Sequence, residues 1–452
     1  MAQFAGLLPP GPKTPAAWQL LRYSQSPLPF LEDCARRYGT PFTVRWAGYG
    51  TFVMLASSEA VKDVFRGDPH ALHSGEGNEF LSASVGANSV LVLDDEPHAR
   101  QRRVLLPPLK GERMRSFFDA IQAITLETVH AWSPGQAIAM IEPMQEITLK
   151  VMLQVVLGIR SSAQLAEFTG KVQRVLELGR GRHGLILVKI LPVDLLQRTR
   201  WLPFFRRMHD LDVAIFAFIE NCRQTPLAER GESVLADLLK AFHEDGSPLS
   251  DQEIRDALVT LIFAGHDTTS VALSWILEQV VPRADVMERI TEELRQTNAD
   301  GLPRADQLHQ LSYLDAAIRE TLRLRTIMPF VVRLTKTPFT AGGKEYPAGV
   351  VLCPCSHLVH RREDLYHEPH TFRPDRFLER HYAADEWFPF GGGNRMCLGM
   401  AFAMYEMKVV LSTLFSKVLL SRPPDCHSRP VRRGIAIAPH DGVMMSVIKR
   451  LT

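Results

Sequence analysis

The chain has 452 residues, 46% of them hydrophobic, and a formal charge of only +2. That is ample for a large core, and length alone allows about three domains. The near-neutral charge gives no bulk attraction for nucleic acid, and no zinc-finger or RNA-binding signature appears, so no nucleic-acid partner is expected. Six cysteines in so long a chain do not form a disulfide scaffold, and a reducing, cytoplasmic setting is the simpler inference.

In chain order, Met1–Leu8 lacks both a basic leader and a long apolar stretch, so neither a signal peptide nor a membrane span is expected there. Leu8-Pro9-Pro10-Gly11-Pro12 follows, within a proline-rich lead-in over residues 1–15. Thr40 to Ala56, rich in aromatic and β-branched residues, reads as a short hairpin. Phe80 and Leu81 fall in a Gly- and Ser-rich loop. Glu96-Pro97 suits a helix start, after which His98 and Arg102 lie one turn apart on one face. Between Gly179 and Met208 an apolar run (Leu185, Ile186, Leu187, Val188, Ile190, Leu191) is surrounded by arginines and a lysine and broken by Gly181, Gly184, Pro192 and Pro203. It reads either as a hinged entrance lid, able to touch an anionic membrane surface transiently, or as two helices packed on the core with solvated arginines.

Ser250-Asp251-Gln252-Glu253 is a capping box. Apolar residues then recur at Ile254, Ala257, Leu258, Leu261 and Ile262 and on to Trp275 and Ile276, the rhythm of a buried helix. From Asp251 to about Val280 it would run roughly 45 Å at 1.5 Å per residue. Inside it lies Ala264-Gly265-His266-Asp267-Thr268-Thr269, poor residues for a helix centre. Leu261, Ala264, Gly265 and Thr268 share one face, where small side chains leave room for a ligand. A hydroxyl at Thr268 fed by the Asp267 carboxylate can pass protons to that ligand; the alternative is a threonine bonded back to its own helix.

Glu320 and Arg323 lie three apart on one helix, by themselves an ordinary surface pair. Val331 to Val351 reads as a hairpin with turns at Gly342-Gly343 and Pro347-Ala348-Gly349, and Gly434 to Ile448 as a terminal hairpin. Cys353-Pro354-Cys355, with His357 near, lies in an apolar strand-like run and has no second ligand pair, so no metal is expected there. The body is therefore mostly helical, with small sheets at one side.

Phe390-Gly391-Gly392-Gly393-Asn394-Arg395-Met396-Cys397-Leu398-Gly399 is the most informative stretch. A thiolate is a strong, soft ligand for iron. The four glycines let a flat cofactor approach the backbone, and the helix that follows aims its amides at the sulfur. Phe390 can cover the sulfur, and Arg395 can meet an anionic group on the cofactor edge.

This stretch resembles the haem-binding loop of the cytochrome P-450 monooxygenases, Phe-x-x-Gly-x-Arg-x-Cys-x-Gly, with each fixed position filled by Phe390, Gly393, Arg395, Cys397 and Gly399. The resemblance extends over nearly the whole chain. It implies a single catalytic domain over residues 1–452, mainly α with small β-sheets (α+β), enclosing haem b (heme b, iron protoporphyrin IX) between a long central helix and the Cys-loop helix. Cys397 would ligate the iron, Asp267 and Thr268 would serve oxygen activation, and Glu320, Arg323 and Arg376 would form a structural triad beneath the haem. His98, Arg102, Arg333 and Arg395 would meet its propionates. Phe80, Leu81, Leu261, Ala264, Met328, Phe330, Val331 and Ile435 would border an apolar substrate, though each fits a core position equally well.

The implied enzyme inserts one atom of O2 into an apolar small molecule of fatty acid, terpenoid, steroid or polyketide type. It acts as a monomer with no membrane anchor. With no fused flavin or nicotinamide domain, its electrons would come from a ferredoxin or flavodoxin-type donor and its reductase, docking near the cysteine side. Two rivals stand beside this reading. A peroxide-driven or rearranging haem-thiolate enzyme tends to lack the acid–threonine pair, and a haem-based sensor or carrier needs no proton delivery.

Overall fold

The structure, a computed structural model, describes residues 7–179, 203–226, 230–297, 301–423 and 426–451. The possible lid falls largely on residues 180–202, outside the described residues.

One helix organises the core. It spans Asp251–Val280, opened by the capping box in which Ser250 Oγ accepts from Glu253 N–H and the Glu253 carboxylate accepts from Ser250 N–H. Both bounds agree with the sequence reading. It is long and apolar enough to cross a membrane, but 72% of its most apolar window is buried by protein, as in a core helix. The Ile141–Leu157 helix packs along it, and the helices Ser312–Leu324 and Met400–Lys417 also lie against it. The partner Met152 explains Gly265: a Cβ there would stand 2.7 Å from both Met152 Sδ and Cε. The missing side chain therefore makes room for a neighbouring helix, not for a ligand as the sequence suggested.

The sheets gather beside this helical body. Phe42–Trp46 and Gly50–Leu55 form the expected hairpin. Gly50–Leu55 then pairs in parallel with Val351–Pro354, which is followed in the five-stranded sheet by Arg333–Thr335 and Leu72–His73. The stretch read as one hairpin is thus two nested pairs: Arg333–Thr335 with Val351–Pro354, enclosing Phe339–Ala341 with Lys344–Tyr346 around Gly342-Gly343. The C-terminal reading also needs correction. Pro430–Arg433 pairs with Ala436–Pro439 through the turn at Gly434, whereas Met444–Arg450 joins Ala137–Ala139 and Val418–Ser421 in a separate sheet. Alternation within one strand does not encode which partner it takes.

Cys353 is buried in the five-stranded sheet, and Cys355 is buried just past the end of its strand. Beyond them lie two buried histidines. His357 Nε2 bonds Glu32 Oε1 at 2.8 Å, and His360 Nε2 accepts from the Phe388 N–H at 3.0 Å. Burial pulls His357 down to about 4 despite Glu32, and pulls His360 well below the usual range. Glu32 is itself lowered, first by its bond to His357. The pair is therefore a neutral imidazole donating to a carboxylate. Unfolded histidines take up protons below about pH 6.5, where these folded ones refuse them, so acid favours unfolding. Melting temperature should fall from pH 6.5 to 5, with a loss on the order of 1 kcal/mol per pH unit for each histidine. His357→Gln should flatten that slope, and a melting temperature constant over this window would refute the assignment.

Candidate haem-thiolate site

Cys397 ends a tight loop in which its N–H donates to the Phe390 carbonyl at 2.9 Å. The next helix begins at Met400, with Gly399 as N-cap. Burial raises the Cys397 thiol, while the amides of Gly399 and Met400 and the nearby Arg102 pull it down. Cys397 nevertheless has exposed surface. Desolvation and exposure coexist where that surface opens onto an interior cleft. The central helix reports the same cleft, since Ala264 is exposed in the middle of an otherwise buried stretch.

The glycines divide into two kinds. A Cβ on Gly392 would meet the Phe65 ring at 2.3 Å, and one on Gly393, at φ +66°, would meet the Phe65 carbonyl at 2.2 Å. These two admit Phe65 rather than a cofactor, which corrects the sequence reading. A Cβ on Gly399 would meet nothing within 4 Å.

Three arginines and a histidine converge beside the loop. Burial first, then Arg395 and Arg102, lower His98 to about 4, and burial with Arg395 lowers Arg333 to about 9. Arg333 donates to the Val332 and Gly392 carbonyls at 2.9 and 3.0 Å. Arg395 donates to the Leu93 and Val90 carbonyls and to Asp94. Asp94 also accepts the Ser74, Gly75 and Glu76 N–H groups, each at 2.9 Å. The side chains of His98 and Arg102 have no hydrogen-bond partner among the described residues. Of these groups only Arg395 pairs directly with Asp94, so Arg102 and Arg333 are left as surplus guanidiniums beside a neutral His98, a set that fits an anionic group.

Glu320, Arg323 and Arg376 meet in full burial. Arg323 grips both Glu320 oxygens at 2.7 and 2.8 Å, and Arg376 Nε donates to Glu320 Oε1 at 3.0 Å. Arg323 also donates to the carbonyls of His360 and Pro369, both at 2.7 Å.

On the central helix, the Thr268 hydroxyl donates to the Ala264 carbonyl at 2.7 Å, and Gln145 Nε2 reaches Asp267 Oδ1 at 3.5 Å. Of the substrate-facing candidates, Leu261 lies in the main core and Phe330 packs with Tyr23 and Trp46, the core alternative for both. Phe80 is half-buried against the Tyr49 ring, and Leu81, Met328 and Val331 are half-buried. Ile435 is 42% exposed beside the Gly434 turn. Phe390 packs edge-on to Trp387. Sequence reasoning missed Asp94, Phe65, Met152 and Gln145. Only Asp94, just ahead of a helix start, carried a local signal.

A cysteine set between amides and surplus arginines, with an exposed Ala264 on the central helix, defines a haem-thiolate protein. The chain belongs to the cytochrome P-450 family, whose model (Cytochrome P-450) matches residues 9–441. It is 35% identical over 440 residues to a Mycobacterium tuberculosis protein named "Putative cytochrome P-450 135B1", covering 97% of this chain and 91% of that one. It is 32% identical over 443 residues to "Putative cytochrome P-450 135A1" of the same species, covering 98% and 95%. Among solved structures, a retinoic acid-bound cyanobacterial CYP120A1 superposes with a TM-score of 0.84 at 23% identity, covering 98% and 100%. The family carries haem b, and the cleft, the cations and the Gly399 surface fit that group.

Two substitutions test this division of labour. Gly399→Ala should leave the haem-free protein as stable as before yet lower haem content several-fold. Gly393→Ala should destabilise the protein itself by about 1–3 kcal/mol through its left-handed backbone alone. Equal haem loading in Gly399→Ala and the parent, by pyridine haemochrome assay, would remove Gly399 from the cofactor surface. Arg323→Ala should cost about 3–5 kcal/mol in urea unfolding, because a buried carboxylate loses its bidentate partner. An unchanged midpoint would mean that Arg376 alone suffices.

Proposed function

We propose that this chain, as one catalytic domain, inserts one atom of O2 into an apolar small molecule, using electrons from a separate ferredoxin or flavodoxin-type protein and its reductase. The observation that carries this reading is the exposure of Ala264 within the otherwise largely buried central helix, one turn from the Asp267–Thr268 pair. Haem b bound by Cys397 supplies an iron centre whose thiolate ligand favours O–O cleavage.

The chain's own residues do the rest. Cys397 holds the ligand position, screened by the Gly399 and Met400 amides. His98, Arg102, Arg333 and Arg395 would hold the propionates of the bound group. Thr268 bonds back to Ala264, which leaves its oxygen free to accept. A proton arriving from the Asp267 side can be taken there and released when the hydroxyl turns away from the helix. Gln145, reaching Asp267 from the neighbouring helix, steadies that carboxylate. Half-buried Leu81, Met328 and Val331 supply apolar walls, which favour a fatty acid, terpenoid, steroid or polyketide over a polar metabolite. All six cysteines are free, which supports a reducing cytoplasmic setting.

The reduced carbon monoxide complex should absorb at the position typical of thiolate ligation, and Cys397→Ser should abolish that band; a variant that keeps it would move the ligand to another cysteine. Thr268→Ala should go on consuming reductant while product per electron falls and peroxide rises. Unchanged coupling, with a substrate lacking hydroxyl groups, would sink the relay. Ligands that shift the visible spectrum in a library of apolar compounds would give the substrate class, and a library in which only polar metabolites score would overturn it.

A further inference from the structure

Positive charge is concentrated in one part of the chain. Residues 171–210 contain nine Lys and Arg against three Asp and Glu, a net of +6, while the whole chain nets only +2, so the remainder nets −4. Asymmetry on this scale points to an anionic partner.

Two described helices hold the two ends of this region and pack on each other, Ser162–Gly179 and Pro203–Gln224. Phe168 and Phe218 join them edge to face, with ring centroids 5.6 Å apart. Beside that contact lies a cleft of about 260 Å³ lined by Lys171, Arg174, Arg207, His209, Asp210 and Val213. Lys171 and Arg174 stand three apart on one helix, and Arg207 and Asp210 three apart on the other, so each pair points the same way. Four basic groups therefore surround one cleft with a single carboxylate in its lining.

Few of these charges are matched within the protein. Lys171 Nζ lies 3.4 Å from Glu167, and Arg174 Nε donates to the Gly170 carbonyl at 2.9 Å. The terminal amino groups of Arg174 have no hydrogen-bond partner among the described residues, nor do the side chains of Arg207 and His209. Asp212, the next acid along, is engaged by Arg255. Like charges held this close repel each other, and the repulsion is relieved by a group carrying more than one negative charge. Guanidinium forks match phosphoryl oxygens in geometry, and a phosphate monoester carries nearly two charges at neutral pH.

We propose that this cleft binds one phosphoryl group, bridging the two helices that bracket residues 180–202. The site is separate from the haem cleft: none of its lining residues belongs to the set around Cys397. The phosphoryl group comes either from a free phosphate-bearing metabolite or from the headgroup of an anionic lipid.

The test uses the haem-loaded full chain at constant ionic strength. Inorganic phosphate is titrated calorimetrically, and vesicles of phosphatidylcholine with and without phosphatidylglycerol are co-sedimented. Phosphate should bind saturably and raise the melting temperature above that in chloride. Arg174→Ala/Arg207→Ala should weaken binding by about tenfold or more, as expected for loss of two charge-assisted contacts. Arg207→Gln, a single partly exposed change, serves if the double variant fails to fold. Saturable phosphate binding without vesicle binding assigns the free source. Phosphatidylglycerol-dependent sedimentation that phosphate competes away assigns the lipid source. Absence of binding by either probe, or equal binding by parent and variants, overturns the site.

Discussion

A single buried carboxylate supports the cysteine side of this molecule. Glu320 has no exposed surface, and it accepts from Arg323, Arg376 and the Arg373 N–H. Charges so deep are tolerated only when each donor and acceptor is used. Arg323 also donates to the carbonyls of His360 and Pro369, which fixes the chain at both positions. His360 holds the Phe388 N–H, Phe388 accepts from Gly391, and Phe390 accepts from Cys397. A continuous series of short contacts thus runs from the ion cluster to the sulfur. The position of the cysteine is set from behind, by groups that never approach a substrate.

The two sides of the cleft are built on different principles. On the cysteine side, burial works against charge: desolvation raises the Cys397 thiol, and only amides and Arg102 resist it. Opposite it, a long helix supplies stiffness, and it is least buried at mid-length over the stretch that carries Ala264, Asp267 and Thr268. Between them, Arg333 and Arg395 are held by backbone carbonyls more than by acids, and Arg102 has no hydrogen-bond partner among the described residues. That arrangement keeps them available to an anion.

Local signals made part of this legible in the sequence. The capping box gave the central helix its start, and the spacing around Cys397 marked the loop, because both are encoded within a few residues. What the sequence could not give was pairing at a distance. Phe65, far from the loop in sequence, dictates Gly392 and Gly393, and Met152 dictates Gly265. Met444–Arg450 alternates like half of a hairpin but finds its partners on strands from elsewhere in the chain. Glycine in a sequence announces a close approach without saying what approaches.

Gly265 and Met152 form one steric unit shared between two helices. A larger residue at position 265 must displace the end of the Met152 side chain or be matched by a smaller one at 152, so the two positions are sterically coupled. An engineer who wishes to move the central helix by a few tenths of an ångström has a handle here that is remote from the chemistry. Trimming Met152 would let the helix settle outward, and filling Gly265 would push it back, so the size of the cleft can be tuned from the side that never meets a substrate.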